Sequence, residues 1–161
     1  MGSNEIYYLP GMGGRIDAGL GRELLRRGYA LSGRETIGEF KKLRFGEQVD
    51  AVKKDFIELF WRPEARVIAN SFGGYLFLHA QIGLEPFPGR VLLLSPIIGS
   101  MDQSANGVRF YPPRADVLRQ IAKLVDFLSL VTLRCMLERR TGKQVRELLL
   151  NFVKLLGSNC I

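Results

Sequence analysis

The chain has 161 residues, is 47% hydrophobic and 24% charged, and carries a net charge of +7. This length suits one domain with a substantial core, and the composition is that of a globular protein. No run of 18 apolar residues occurs, and the short polar start is unlike a signal peptide, so neither a membrane segment nor a membrane partner is expected.

The cysteine count and the distribution of charge indicate where the protein is located and which partners it lacks. Cys135 and Cys160 are too few for a disulfide framework, so a reducing cytoplasm is the expected location. Residues 128–161 hold six basic and two acidic residues, whereas residues 1–127 hold 17 and 14. The basic residues before the tail are scattered and lack interleaved aromatic residues, which indicates solvated surface and no nucleic-acid partner.

Strand and helix patterns alternate along the first part of the chain. Apolar runs bounded by turn residues predict four strands, at 6–9, 29–32, 66–69 and 90–94. Apolar residues at helical spacing predict four helices, at 17–27, 47–61, 72–82 and 115–125. This alternation predicts an α/β fold, doubly wound, with a mostly parallel sheet of about four strands.

Two segments depart from the alternation. Residues 97–113 are rich in glycine and proline and are expected to form a loop. From Leu128 no clear strand pattern appears, and the apolar spacing becomes helical. We therefore divide the chain into a core at 1–127 and a basic, apolar tail at 128–161 that is helical or disordered and adds no strand.

The first candidate site residue is Ser71, in the stretch Ala69-Asn-Ser-Phe-Gly73 between a predicted strand and a predicted helix. A serine on such a sharp turn needs small residues two positions before and after it, here Ala69 and Gly73. The following helix directs its N-terminal dipole at this bend. The alternative is that Ser71 is an ordinary helix N-cap.

The second candidate feature is the glycine-rich loop that follows the first predicted strand, Pro10-Gly-Met-Gly-Gly14. An oxyanion hole needs two backbone donors, and Met12 and Phe72 are the candidates. Gly11 and Gly13, with Gly73, would let the backbone approach a substrate closely. A dinucleotide-binding loop is the rival interpretation, but its pattern requires glycine where Ile16 stands.

Together with the strand at Arg90–Pro96, which ends in Ser-Pro, these motifs make residues 5–125 resemble the small, lidless α/β-hydrolases, which are single-domain serine hydrolases. The resemblance implies a truncated α/β-hydrolase fold and esterase-like chemistry on a small-molecule ester-type substrate. Ser71 would be the catalytic nucleophile, with Phe72 and Met12 as the backbone oxyanion donors and Gly11, Gly13 and Gly73 beside the substrate. The resemblance implies no cofactor, and no metal-ligand cluster is apparent in the sequence.

The rest of the family's catalytic triad has no match in this chain. Family members carry an acid and then a histidine after the serine, but the only histidine here is His79. His79 lies eight positions beyond Ser71, about 12 Å along the same helix, which is too far for proton transfer. It is expected to be structural, and hydrolase activity is expected to be severely impaired. The alternative is a non-catalytic interaction protein that binds a partner through the basic tail. Self-association is expected at the sheet edge that the family's further strands would otherwise cover.

One hypothesis explains why the family's catalytic acid and histidine are missing from this chain and why the alternation of strands and helices stops near Asp126. The tail would be an out-of-frame reading of the missing part of a hydrolase. Allowed codons for residues 137–144, read one nucleotide earlier, can encode Gly-Glu-x-Asp, which resembles the family's acid loop. Codons for 156–161 can similarly encode Gly-Val-Glu-Leu-His, and the gene sequence decides the matter.

Overall fold

The computed structural model describes residues 4–97, 101–103 and 108–124. The predicted tail at 128–161 lies outside the described residues, so its helical or disordered character stays a prediction. None of the helices in the described part has the length and apolar character that a membrane crossing requires.

The described residues form six strands and five helices. The strands are β1 (Glu5–Leu9), β2 (Ala30–Gly33), β3 (Arg66–Asn70), β4 (Arg90–Leu94), β5 (Met101–Gln103) and β6 (Val108–Phe110). The helices are α1 (Gly19–Arg26), α2 (Gly38–Lys42), α3 (Phe45–Asp55), α4 (Phe72–Ala80) and α5 (Ala115–Leu124), and α3 continues into a π-helical turn, Phe56–Phe60.

The first four strands form one sheet in the order β2-β1-β3-β4, with every neighbouring pair parallel. The predicted α/β fold with a parallel four-stranded sheet is thereby confirmed. From β1 the chain moves outward to β2, then crosses back to place β3 on the other side of β1. The strand order therefore reverses between β1 and β3, and the carboxyl ends of such a strand pair form the crevice where open α/β sheets bind ligands.

Alternating side chains of the strands build a core on each face of the sheet. In β1, Ile6 and Tyr8 pack with Leu24 of α1, whereas Tyr7 and Leu9 face the other way. The latter face is covered by α3 and by α4, whose residues are all buried. Because both faces are covered, the middle residues of β1, β3 and β4 are apolar and buried, which is why these strands appear in the sequence as continuous apolar runs.

The structure differs from the sequence-based prediction at one expected loop, one short helix and the start of α3. Residues 97–113 were expected to be a loop, but β5 and β6 pair antiparallel within this segment. Strands of three residues are too short to produce a recognisable alternation, which explains the error. The short helix α2 was not predicted, and α3 begins at Phe45 rather than at 47 because the Glu47 carboxylate accepts the Arg44 N–H at its start.

Candidate functional site

Ser71 follows β3 directly, at the carboxyl end of a strand that has a neighbour on each side. Its backbone has φ 50° and ψ −114°, a left-handed conformation that is strained for a residue with a side chain. An ordinary N-cap has an extended backbone and a side-chain hydrogen bond to the helix, and Ser71 has neither. The predicted strained strand-to-helix turn is confirmed, and the N-cap alternative does not describe this residue.

The small residues around Ser71 are required by close packing. Ala69 is fully buried in the core between the sheet and α4. A methyl group built on Gly73 would lie 2.2 Å from the Leu9 carbonyl oxygen and 2.6 Å from that of Pro10. The start of α4 therefore lies directly against the end of β1, and this contact brings the β1 loop beside Ser71.

A second strained serine lies on the other side of the site. Ser95, which follows β4, also has a positive φ, of 42°. The two strand ends are joined by hydrogen bonds, because the Ser71 N–H donates to the Leu94 carbonyl at 2.8 Å. The Ser-Pro end of this strand is part of the family resemblance, but the sequence assigned Ser95 no role, since a Ser-Pro pair after a strand carries no signal of a left-handed backbone.

The glycine-rich loop forms a tight turn next to the nucleophile candidate. A methyl group built on Gly11 would lie 3.4 Å from the Cβ atom of Ser71. The Gly14 N–H donates to the Gly11 carbonyl at 2.9 Å, and Gly13 has φ +73°. These features are those of a type II turn, which favours glycine at its third position. Met12, at the second position, is 60% exposed.

The two candidate oxyanion donors have no hydrogen-bond acceptor among the described residues. Within the described part of the chain, neither the Met12 N–H nor the Phe72 N–H donates a hydrogen bond. The Met12 N–H lies outside the 1→4 bond of its turn, and the Phe72 N–H belongs to the first turn of α4. Their convergence on one oxygen atom stays a prediction, as do the substrate contacts expected of Gly11, Gly13 and Gly73.

His79 is a core residue, as its position on α4 predicted. Its ring is only 4% exposed and packs at 4.4 Å from the Tyr75 ring and 5.0 Å from the Phe45 ring. Its Nε2 atom finds no partner among the described residues. Burial, and secondarily the positive charge of Arg114, lowers the pKa of His79 to about 4. It is therefore neutral at neutral pH.

This shift predicts acid sensitivity of the fold. Between pH 6.5 and about 4, His79 binds a proton in the unfolded chain but stays neutral in the folded protein. The free energy of unfolding is therefore highest above pH 6.5 and falls as the pH drops through this range. One pKa unit corresponds to about 1.4 kcal/mol, and pH 4.5 lies about two units below the unfolded pKa, so His79 contributes a loss of about 3 kcal/mol at pH 4.5. Urea unfolding of the parent and of His79→Leu at pH 7 and pH 4.5 measures it. Equal pH dependence in both proteins would contradict the prediction.

A hydrogen-bonded group that no sequence pattern predicted joins β1, α3 and Arg34, the residue that follows β2. The Tyr7 hydroxyl donates to Asp55 Oδ2 at 2.5 Å, and Arg34 donates to both oxygens of Asp55, at 2.7 and 2.6 Å. Burial, and then the hydrogen bond to Asp55, raises the pKa of Tyr7 well above its ordinary value. These residues are 21 to 48 positions apart, so no local pattern in the sequence relates them.

Comparison with protein-family models, with curated proteins and with solved structures finds no significant match for this chain. The described residues also contain no group of three or more side chains arranged to hold a metal ion. The fold and the local geometry therefore define an α/β protein with a strained serine at the reversal point of its sheet.

Proposed function

We propose that this chain is a serine-hydrolase domain that attacks ester-type acyl groups through Ser71. One observation carries the proposal. Ser71 has a strained backbone at the carboxyl end of β3, where the sheet order reverses, and the Gly11 turn lies against it. Strained residues of this kind cluster at functional sites, and the energetic cost of the conformation serves to expose the side chain.

The proposed reaction uses the serine oxygen and two backbone donors. The Ser71 hydroxyl oxygen would attack the ester carbonyl carbon, and the negative oxygen formed would bind the N–H groups of Met12 and Phe72. The proton lost by the Ser71 hydroxyl would pass to the alcohol oxygen as the ester C–O bond breaks. Water would then attack the acyl-serine carbonyl, release the acid and return a proton to the Ser71 oxygen. The macrodipole of α4 favours the same negative charge.

The proposed reaction has no general base to take the proton from the Ser71 hydroxyl among the described residues. His79 is buried against aromatic rings and is the only histidine in the chain. Without a base the serine is a poor nucleophile, and loss of triad members leaves only a small residual rate from the oxyanion donors and binding. We therefore propose an impaired hydrolase, located in the cytoplasm as the low cysteine content favours.

A fluorophosphonate probe tests the proposal, because serine attack on its phosphorus expels fluoride and leaves a stable phosphonyl-serine. Peptide mass spectrometry is expected to find slow labelling at Ser71, about 10³-fold or more below that of a complete triad. Ser71→Ala should abolish this labelling. The matched control is Ser32→Ala, which removes a half-buried hydroxyl in β2 and should label like the parent protein.

The contrary result is specific. If the parent protein is not labelled at Ser71, or if Ser71→Ala is labelled equally, the hydrolase proposal is wrong. The non-catalytic alternative, in which the scaffold binds a protein partner through its basic tail, would then be favoured.

A further inference from the structure

Thr36 lies in the segment between β2 and α2, and its side chain reaches the glycine-rich turn after β1. Thr36 is 3% exposed. Its hydroxyl donates to the Gly11 carbonyl and accepts the Gly14 N–H at 2.9 Å. Its own N–H donates to the Gly14 carbonyl at 3.1 Å. One residue therefore binds the first and last residues of the four-residue turn.

The neighbouring residue continues the same attachment. Glu35 accepts the N–H of Ile16 at 3.0 Å, two positions beyond the turn. Hydrogen bonds at Gly11, Gly14 and Ile16 thus fix the turn and the residues after it to the segment that follows β2. On its other side Gly11 faces Ser71, with no side chain of its own between them.

These contacts determine where the Met12 N–H can lie. Met12 is largely exposed, so its own side chain does little to hold it. Its backbone position depends instead on the turn residues before and after it, and both turn ends are bonded to the Thr36 hydroxyl. Donors contribute to oxyanion stabilisation only when they are fixed in place before the reaction.

We propose that Thr36 is a positioning residue, which holds the Met12 N–H in place for the oxyanion formed at Ser71. This inference rests on the proposed function. The hydroxyl must donate at one end of the turn and accept at the other. Serine can do both, whereas valine, which has nearly the same shape as threonine, can do neither.

The test compares Thr36→Val and Thr36→Ser with the parent protein. Thr36→Val should retain the fold, because the Gly14 N–H still bonds the Gly11 carbonyl, and we expect a loss of stability no larger than that of the two hydrogen bonds of the hydroxyl. Labelling of Ser71 by the fluorophosphonate probe should fall about tenfold or more in Thr36→Val. Thr36→Ser should restore labelling to within about threefold of the parent, since only the hydroxyl is needed.

A second measurement separates positioning from a general structural role. The amide resonance of Met12 in the NMR spectrum should shift in Thr36→Val and return in Thr36→Ser, while amides of the distant strand β4 stay unchanged. The control Ser32→Ala removes a hydroxyl that reaches Glu5 rather than the turn, and it should leave labelling and the Met12 amide unaltered.

The outcomes are distinguishable. Labelling of Thr36→Val at the parent rate overturns the role of Thr36 and leaves the proposed function standing. Equal losses in Thr36→Val and Thr36→Ser also overturn the role, because the hydroxyl would then not be the cause. Absence of labelling in the parent overturns both the proposed function and this inference.

Discussion

Replacement of Gly73 by alanine is expected to lower the free energy of unfolding by about 3 kcal/mol, near the upper end for overpacked sites. The new methyl group would lie 2.2 Å from the Leu9 oxygen and 2.6 Å from the Leu9 carbonyl carbon. Both are backbone atoms of β1, so no side-chain rotation can relieve the overlap. The start of α4 must move away from the sheet, and Ser71 moves with it.

Chemical denaturation measures this effect, and the adjacent glycine provides a matched control. A methyl group on Gly74 meets the Pro96 ring at 3.1 Å, a tight contact with a neighbour that can shift slightly. Alanine also gains about 1 kcal/mol of helix propensity over glycine. Gly74→Ala should therefore stay within about 1 kcal/mol of the parent. If both variants lose the same stability, the close approach of α4 to β1 is not the cause.

The second large effect is expected at Asp55, the acceptor that Tyr7 and Arg34 share. Asp55→Ala leaves the Tyr7 hydroxyl, on a side chain only 1% exposed, without an acceptor. It also removes the bidentate partner of Arg34, whose side chain is 40% exposed and so keeps part of its hydration. We expect a loss of about 3 kcal/mol, of which about 2 kcal/mol comes from the buried Tyr7 hydroxyl left without a partner and about 1 kcal/mol from the partly exposed ion pair.

Two further variants check this interpretation by urea unfolding. Tyr7→Phe removes one hydrogen bond but keeps the ring contacts with Phe56 and Phe60, so it should cost about 1 kcal/mol. Glu39→Ala breaks an ion pair on the exposed surface of α2, and it should cost less than about 0.5 kcal/mol. A loss at Asp55 no larger than that at Glu39 would show that the buried group does not stabilise the fold.

The order of the main elements and the position of Ser71 followed from local patterns. Apolar runs such as residues 67–69 in β3 are buried between the two faces of the sheet, so they contain no polar residue and can be recognised without knowledge of their neighbours. The turn at Ser71 also has a local cause. Small residues at 69 and 73 are required within five positions of sequence, so the motif is visible in the chain itself.

The surroundings of Ser71 were decided only by the tertiary structure. Thr36 reaches Gly11 across 25 positions, and Asp55 joins Tyr7 across 48, so their contacts depend on how the strands are ordered in the sheet. The reversal between β1 and β3 has the same origin, because no residue within a strand specifies which strand becomes its neighbour. Short strands such as β5 and β6 are likewise stabilised by pairing with each other, and their own residues show no recognisable strand pattern. The sequence by itself therefore determined the serine and its turn, whereas long-range packing decided which residues hold the neighbouring loop against it.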